Sequence, residues 1–243
     1  MAEQKITVAQ LRGNGLSDRE TKTWEFFPSD IVQTVFTTHK NIYAQSPLPF
    51  PLVKVRSSAD NFFTKNFYKY FFGQYQHMFG LEKHLADFAI AHVGELYNYY
   101  TYQAVQAKKN NKKLKVVATV WENSFGRFEY NYWPGFKIPP RYWREHLAEI
   151  MQANVRGVDM FLPTTSDAAE LLKDYGVPDE KITIVAPGII PAKAGDFKLP
   201  SELVGKELYL MVNRLVKEKG VYEVLYAWRR YLRLTKSSVP KTL

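Results

Sequence analysis

The sequence contains no cysteine, which excludes disulfide bonds, thiol nucleophiles and zinc–thiolate sites. It also contains no apolar run near the roughly 20 residues that a helix needs to cross a bilayer. The segment Met1–Gln10 alternates polar and apolar residues and lacks the apolar core of a signal peptide. These absences predict a cytoplasmic protein, associated with the inner face of the membrane at most.

Several motifs of ligand-binding proteins are missing as well. There is no D-x-D, and no His, Asp and Glu residues stand at metal-ligand spacing. A glycine-rich P-loop ending in Gly-Lys-Ser or Gly-Lys-Thr is absent too, which argues against a P-loop nucleotidase. We therefore expect no bound metal and no cofactor.

Basic and aromatic residues, in contrast, are abundant. The 243 residues carry 33 Lys and Arg against 24 Asp and Glu, a net charge of +9, and 15% of them are aromatic. Such a surface suits partners that bear phosphate: nucleotides, nucleic acids or anionic lipids. No nucleic-acid-binding motif is recognisable, so a nucleic acid is not an expected partner.

Short apolar segments alternate with longer amphipathic ones along most of the chain. This alternation predicts an α/β fold, a Rossmann-like parallel sheet with helices on both faces. The predicted strands are Lys5–Leu11, Ile31–Thr37, Leu52–Val55, Phe88–His92, Lys115–Val120, Met160–Pro163, Ile182–Val185 and Leu208–Val212. We assign residues 1–190 to a first domain, 191–206 to a linker, and 207–243 to the first βα unit of a second, incomplete domain.

The segment Leu208–Val221 has the most informative local pattern. It reads as an apolar strand, a turn that carries Arg214, Lys217 and Lys219, and Gly220 at the start of a helix. Doubly wound sheets bind phosphates at the carboxyl ends of strands, where helix N-termini lie. Arginine can grip a diphosphate through two hydrogen bonds, and lysine adds a mobile charge. From spacing alone, a phosphate site and a solvated basic turn are equally favoured.

This segment resembles the G-R-L-x-x-x-K-G signature of the retaining, GT-B-fold glycosyltransferases of family 4. Other stretches resemble motifs of that family in the same order, namely Asp87–His92, Val158–Ser166 and Tyr175–Ile189. Ser166 is the predicted N-cap of the helix Asp167–Tyr175. Gly13 and Gly15 stand where the family keeps a glycine-rich loop after its first strand. The resemblance extends from about residue 5 to residue 234.

The resemblance implies a nucleotide-sugar site. In the family, the Arg and Lys of the signature hold the donor diphosphate, a role that falls here on Arg214 and Lys219, with Gly220 in register. Asn213 departs from the pattern, since the family usually has glycine there, and its side chain would crowd the phosphate. The family's E-x7-E motif, which binds donor sugar and ribose, has no counterpart before Leu243.

Two residues are candidate catalytic groups on the acceptor side. His92 stands at the end of a predicted strand, where it would contact the donor sugar or orient the acceptor hydroxyl, or play a structural part. Glu122 would line the acceptor cleft or merely cap the loop that follows. Trp121 replaces a histidine that family members often place after this strand.

The sequence thus predicts a glycosyltransferase that moves a sugar from a nucleotide-diphosphate donor to a hydroxyl acceptor, with retention and without a metal ion. Its partners would be a nucleotide sugar and a carbohydrate or lipid-linked acceptor. A nucleotide-sugar epimerase of the same fold and a non-catalytic binding module are the alternatives. Because most of the second domain is missing, we expect these 243 residues alone to be inactive or nearly so.

An aromatic segment, Asn61–Phe72, raises the question of membrane contact. It is aromatic almost all round a helix, so one face can pack on the sheet while the surplus rings meet a membrane interface, a partner helix or an apolar acceptor. Residues 60–115 also carry eight Lys against four acids. Core packing of the rings and solvated lysines are the competing interpretation, which the pattern slightly favours.

Overall fold

The computed structural model describes residues 5–41, 48–72, 76–121, 141–188, 200–213, 215 and 217–235. The chain divides into two compact units, Met1–Ile190 and Pro191–Leu243. The two units are described separately below.

The first unit is built on one six-stranded sheet, and its strands are β1 (Ile6–Gly13), β2 (Ile31–Thr38), β3 (Leu52–Val55), β4 (Ile90–Gly94), β5 (Lys115–Val120) and β6 (Met160–Pro163). All neighbouring strands pair in parallel, in the order β3-β2-β1-β4-β5-β6. This is the strand order of the doubly wound Rossmann fold. The predicted fold class is confirmed.

The helices follow the strands, and their bounds are α1 (Asp18–Trp24), α2 (Phe62–Phe72), α3 (Leu81–His84), α4 (Tyr99–Ala107), α5 (Arg141–Gly157) and α6 (Ser166–Asp174) in the first unit, with α7 (Val221–Thr235) in the second. In the part of the chain that the structure describes, no helix is both long and apolar enough to cross a membrane.

The core lies on both faces of the sheet. Successive side chains of a strand point to opposite faces, and so the β2 neighbours Val35 and Phe36 belong to two separate buried clusters. Trp24 of α1 joins Val35 on one face, whereas Tyr100 of α4 lies with Phe36 on the other. Helices therefore cover the sheet from both sides, as predicted.

Two local predictions in the first unit need correction. The strand predicted at Ile182–Val185 is present only as a single parallel bridge from Ile182 to Phe161, with further backbone hydrogen bonds from Thr183 and Val185 to the β6 strand. Thr165, not Ser166, is the N-cap of α6, because its hydroxyl accepts the Ala168 N–H at 3.1 Å. The apolar pattern located both elements but not their ends.

Apart from short 3₁₀ turns, α7 is the only regular helix or strand among the described residues of the second unit. The strand predicted at Leu208–Val212 needs correction: only Leu208 forms a β-bridge, the residues after it form no strand, and Leu210 and Val212 are exposed. A strand needs a neighbour to pair its backbone groups. Instead, Tyr209 packs its ring on Trp228 of α7, with 5.1 Å between ring centroids.

Candidate functional site

The strand order creates a crevice at the carboxyl ends of β1 and β4. From β1 the chain runs outward through β2 and β3, and then returns to β4 on the other side of β1. Ligands of open α/β sheets bind outside the carboxyl ends of the strands at this reversal point. Polar residues of β1, β4 and β5 are gathered there.

Arg12, the penultimate residue of β1, is the charged centre of this cluster. It is 5% exposed, and its Nε donates to Glu20 Oε1 of α1 at 3.1 Å. Its guanidinium carbon lies 5.2 Å from the centre of the Trp24 ring and 5.3 Å from that of Trp121. Both distances permit cation–π attraction. A buried charge is thus held by one carboxylate and two indole rings.

Gly94 makes room for this arrangement at the end of β4. A Cβ at that position would lie 2.9 Å from the Trp121 ring and 3.2 Å from Arg12 Nη1. Contacts this short require neighbouring atoms to shift. The missing side chain therefore lets Trp121 and Arg12 lie directly against the strand.

Glu95, the next residue, has a strained backbone. Its φ is +63°, in the left-handed region that non-glycine residues rarely occupy. Its side chain is buried, and Oε1 accepts the Trp121 N–H at 2.7 Å. Such strain costs about 1–3 kcal/mol and concentrates at functional sites. Glu95 thereby joins the ends of β4 and β5 at the crevice.

His92 lies in the middle of β4, two residues before its end, and not at the strand end as predicted. Its Nδ1 lies 2.5 Å from Gln10 Oε1 of β1, and its Nε2 lies 2.7 Å from Thr119 Oγ1 of β5. Both ring nitrogens are thus engaged across three adjacent strands. The catalytic role of His92 stays a prediction, since a substrate hydroxyl would have to displace Thr119.

The protonation of His92 gives a testable consequence for stability. Burial lowers its pKa well below the usual range, and the charge of Arg12 lowers it further. In the unfolded chain histidine titrates near about 6.5. Below that pH the unfolded chain binds a proton that the native chain does not, so stability falls as pH falls towards the native pKa.

We therefore expect His92→Gln to flatten the acid side of the stability profile. Over the window from about pH 6.5 downwards, the native protein should lose up to about 1.4 kcal/mol per pH unit more than the variant. Urea unfolding of the first unit at pH 5.0–8.0 measures this difference. Above pH 7.5 the difference between the two proteins should be constant, and a constant difference at all pH values would contradict the assignment.

The predicted glycine-rich loop forms a tight turn after β1. Gly13 has a φ of +51°, and the Gly15 N–H donates to the Arg12 carbonyl at 3.1 Å. A Cβ on Gly13 would lie 2.1 Å from Gln76 Oε1. The Gln76 side chain thus lies against Gly13, where a bound phosphate would have to displace it; a phosphate-binding role for the loop stays a prediction.

The remaining predicted residues belong to other parts of the chain. Glu122 and Arg214 lie outside the described residues. Lys219 is exposed in the 3₁₀ turn Lys217–Lys219, and Gly220 follows with a φ of +70°, immediately before α7. Lys219 and Gly220 thus directly precede the helix, as the sequence pattern predicts, whereas their role in binding is untested.

Sequence reasoning missed Arg12 and Glu95, and it assigned Glu20 only to the capping box with Ser17 at the start of α1, which the structure confirms. A signal for Arg12 was available, because a charged residue directly before Gly13, at the end of a first strand that otherwise carries no charge, is unusual in a buried position. Nothing in the sequence marks the φ of Glu95. Among the described residues, no three His, Asp or Glu side chains are placed to hold a metal ion.

No protein-family model matches this sequence, and no curated protein does either. Solved structures similar to the chain include the UDP-GlcNAc 2-epimerase from Methanocaldococcus jannaschii (12% identity, TM-score 0.45, covering 74% of this chain and 45% of that one). A putative UDP-N-acetylglucosamine 2-epimerase from Listeria monocytogenes matches with 16% identity, a TM-score of 0.45, and coverage of 75% and 45%.

The lipopolysaccharide outer core galactosyltransferase WaaB, in its apo form, is similar at 12% identity with a TM-score of 0.47, over 76% of this chain and 46% of that one. The chain therefore spans about half the length of the structures it matches. At these identities and TM-scores, the similarity specifies neither a substrate nor a reaction.

Proposed function

We propose that the chain is part of a GT-B-type glycosyltransferase that moves a sugar from a nucleoside-diphosphate donor to a hydroxyl group, with retention. The observation that carries the proposal is the polar cluster at the strand-order reversal, formed by Arg12, Glu20, His92, Glu95 and Trp121. Its position is where such sheets bind ligands. The motif resemblance in the sequence supports the reaction class.

In this proposal the first unit binds the acceptor. Trp121 is 41% exposed, so part of its indole ring is free to form an apolar wall of the crevice. Arg12 contacts this ring through its guanidinium group, and Glu95 holds the backbone of Trp121 by accepting its N–H. The cluster thus positions a rigid surface on which a sugar ring can pack.

The donor would be held by the turn before α7. Arg214 and Lys219 would neutralise the leaving diphosphate, the task that a divalent metal performs in other transferases. The acceptor oxygen bonds to the anomeric carbon as the bond from that carbon to the phosphate oxygen breaks. The acceptor proton passes to the departing phosphate, so this route needs no separate general base.

Product analysis tests the proposed reaction. Because these 243 residues alone are expected to be inactive or nearly so, the full-length enzyme of this proposal is incubated with UDP-, GDP- and ADP-sugars and a mixed pool of hydroxyl acceptors, and the products are identified by mass spectrometry. A glycosylated acceptor together with an equal amount of nucleoside diphosphate supports the transferase. An altered sugar or free nucleotide without any acceptor product would indicate the epimerase, and no binding of any nucleoside diphosphate would favour a binding module.

We further propose that α2 contacts a membrane that carries the acceptor. Its side chains Phe62, Phe63 and Phe67 are 70%, 79% and 51% exposed, so these rings are not packed in the core. Core packing of the whole aromatic segment, the interpretation slightly favoured by the sequence, is therefore wrong for these three. Aromatic rings exposed on a basic surface are typical of contact with anionic headgroups.

The lysines of residues 60–115 contribute less net positive charge than their number predicts. Lys108 and Lys115 lie 2.7 and 3.4 Å from the carboxylate of Asp159. Burial raises the pKa of Asp159, but hydrogen bonds from Lys108 and the Val116 N–H, with the charges of both lysines, lower it overall. The Asp159 carboxylate thus stays ionised and neutralises part of the charge of Lys108 and Lys115.

We expect the protein to co-sediment with anionic vesicles at low salt and to dissociate as salt is raised. Each Lys or Arg near an anionic surface contributes about 1 kcal/mol, which salt screens. The double variant Phe63→Ser with Phe67→Ser should reduce the bound fraction severalfold. Phe26→Ser is the matched control, since Phe26 is 72% exposed outside α2.

Equal binding by the α2 variant and the Phe26 control would show that α2 is not the contact. If the native protein stays in the supernatant at low salt, the membrane contact is contradicted and a soluble acceptor is favoured.

A further inference from the structure

A second concave region lies at the carboxyl edge of the sheet, apart from the Arg12 cluster. It is an open pocket of about 600 Å³ at the ends of β2 and β3, lined by His39, Lys54, Val55, Arg56, Phe79 and His84. We propose that this basic pocket binds a phosphomonoester group. The proposal goes beyond sugar transfer and does not depend on it.

The sheet itself brings the basic side chains together. His39 follows β2 directly and Arg56 follows β3 directly, and the two strands pair in parallel with Thr37 opposite Lys54. Carboxyl ends of adjacent parallel strands meet at one edge of a sheet, the edge at which α/β proteins bind ligands. The pairing register therefore fixes three of the four basic residues.

Two contacts hold the remaining wall in place. His84, the last residue of α3, lies with its ring 5.8 Å from the ring of Phe36 on β2. The Phe79 N–H donates to the Arg56 carbonyl at 2.8 Å. The pocket is thus framed by strand ends and a short helix tied to them.

The basic side chains of the pocket have no acidic partner in the described part of the chain. The nearby carboxylate of Asp60 accepts the backbone N–H groups of Lys40 and Ser57, at 3.0 and 2.6 Å. Glu82, two residues before His84, accepts the Gln103 amide at 3.0 Å. The positive charge of the pocket is therefore available to an external anion.

The chemistry of the lining residues selects the anion. Lys54 and Arg56 supply two permanent positive charges, which match the charge of about −1.5 to −2 on a phosphomonoester at neutral pH. Arginine bonds phosphate oxygens through its planar fork, and the histidines offer further N–H donors. Val55 and Phe79 provide an apolar wall for the group that the phosphate is attached to.

Calorimetric titration with phenyl phosphate tests the proposal on the intact chain. The native protein should bind this ligand, and Arg56→Gln or Lys54→Gln should weaken the affinity roughly tenfold or more, because each removes a charge-assisted hydrogen bond. Lys22→Gln, which removes one exposed charge from α1, should leave the affinity unchanged. Thermal unfolding of each variant verifies that it is folded.

A second arm distinguishes a soluble phosphate compound from a lipid headgroup. Neutral vesicles containing about 10% phosphatidic acid are compared with vesicles containing the same fraction of phosphatidylglycerol, a phosphodiester. Retention by phosphatidic acid that is lost in Arg56→Gln, without phenyl phosphate binding, assigns the pocket to a lipid phosphomonoester. Pocket-dependent binding of phenyl phosphate alone assigns it to a soluble compound.

The proposal is overturned if the protein binds the ligand in neither arm. It is also overturned if Arg56→Gln and Lys54→Gln leave the binding intact. Lys219→Ala separates this site from the proposed donor site. It should leave phenyl phosphate binding unchanged while weakening nucleoside diphosphate binding. The two proposed sites can therefore be disproved independently.

Discussion

Replacing Arg12 by methionine should destabilise the first unit by about 3 kcal/mol. Removing one partner of a buried ion pair typically costs about 3–5 kcal/mol. Because Glu20 is partly exposed, we expect a loss at the lower end of this range. Methionine fills a similar volume, so the loss reports the charge and its hydrogen bonds. The variant also removes the cation–π contacts to Trp24 and Trp121.

Urea unfolding, followed by tryptophan fluorescence, measures this loss. Arg156→Met is the matched control, because Arg156 is exposed in the last turn of α5 and its loss should change stability by no more than about 0.5 kcal/mol. Arg12→Lys should lie between the native protein and Arg12→Met, since lysine keeps the charge but not the planar fork.

A double-mutant cycle with Glu20→Gln isolates the ion pair. If Arg12 acts mainly through Glu20, removing Glu20 as well should cost nothing further. The free energy of unfolding of the double variant should then lie within about 0.5 kcal/mol of that of Arg12→Met. Additive losses from the two single variants would instead show that the aromatic rings, and not Glu20, stabilise Arg12.

The sheet could be predicted from the sequence because its strands are short, apolar and separated by polar helices. The bounds of β3, β5 and β6 agree with the prediction at both ends. Leu208–Val212 has the same apolar character, yet it forms no strand in the described structure. Its composition was sufficient for a strand, but pairing depends on a neighbour that a local pattern does not reveal.

The candidate site was harder to predict because its contacts join distant segments. His92 meets Gln10 across 82 positions of the chain, and Trp121 meets Glu95 across 26. A local motif placed His92 near the edge of the sheet, but only the strand register shows that both its nitrogens are engaged. The contact of Arg12 with Trp121 depends on the pairing of the same strands, whereas its contact with Trp24 depends on the packing of α1.

The donor site proposed at the start of α7 leads to the second large expected effect. Lys219→Ala should weaken the binding of a nucleoside diphosphate by about 10- to 100-fold, since a charge-assisted hydrogen bond contributes roughly 1.5–3 kcal/mol. Lys217→Ala is the matched control, because Lys217 is exposed in the same 3₁₀ turn but occupies a position that the motif leaves unspecified. Calorimetric titration with UDP, GDP and ADP measures both affinities.

Comparing a nucleoside diphosphate with its nucleoside shows whether Lys219 acts on the phosphates. If Lys219 contacts the diphosphate, the substitution should weaken the binding of UDP much more than that of uridine. Gly220, with a φ of +70°, ends the turn directly before α7. The backbone N–H groups of the first residues of a helix favour an anion, which supports a phosphate contact here. Equal losses in Lys217→Ala and Lys219→Ala would indicate only a general charge effect and would remove Lys219 from the donor site.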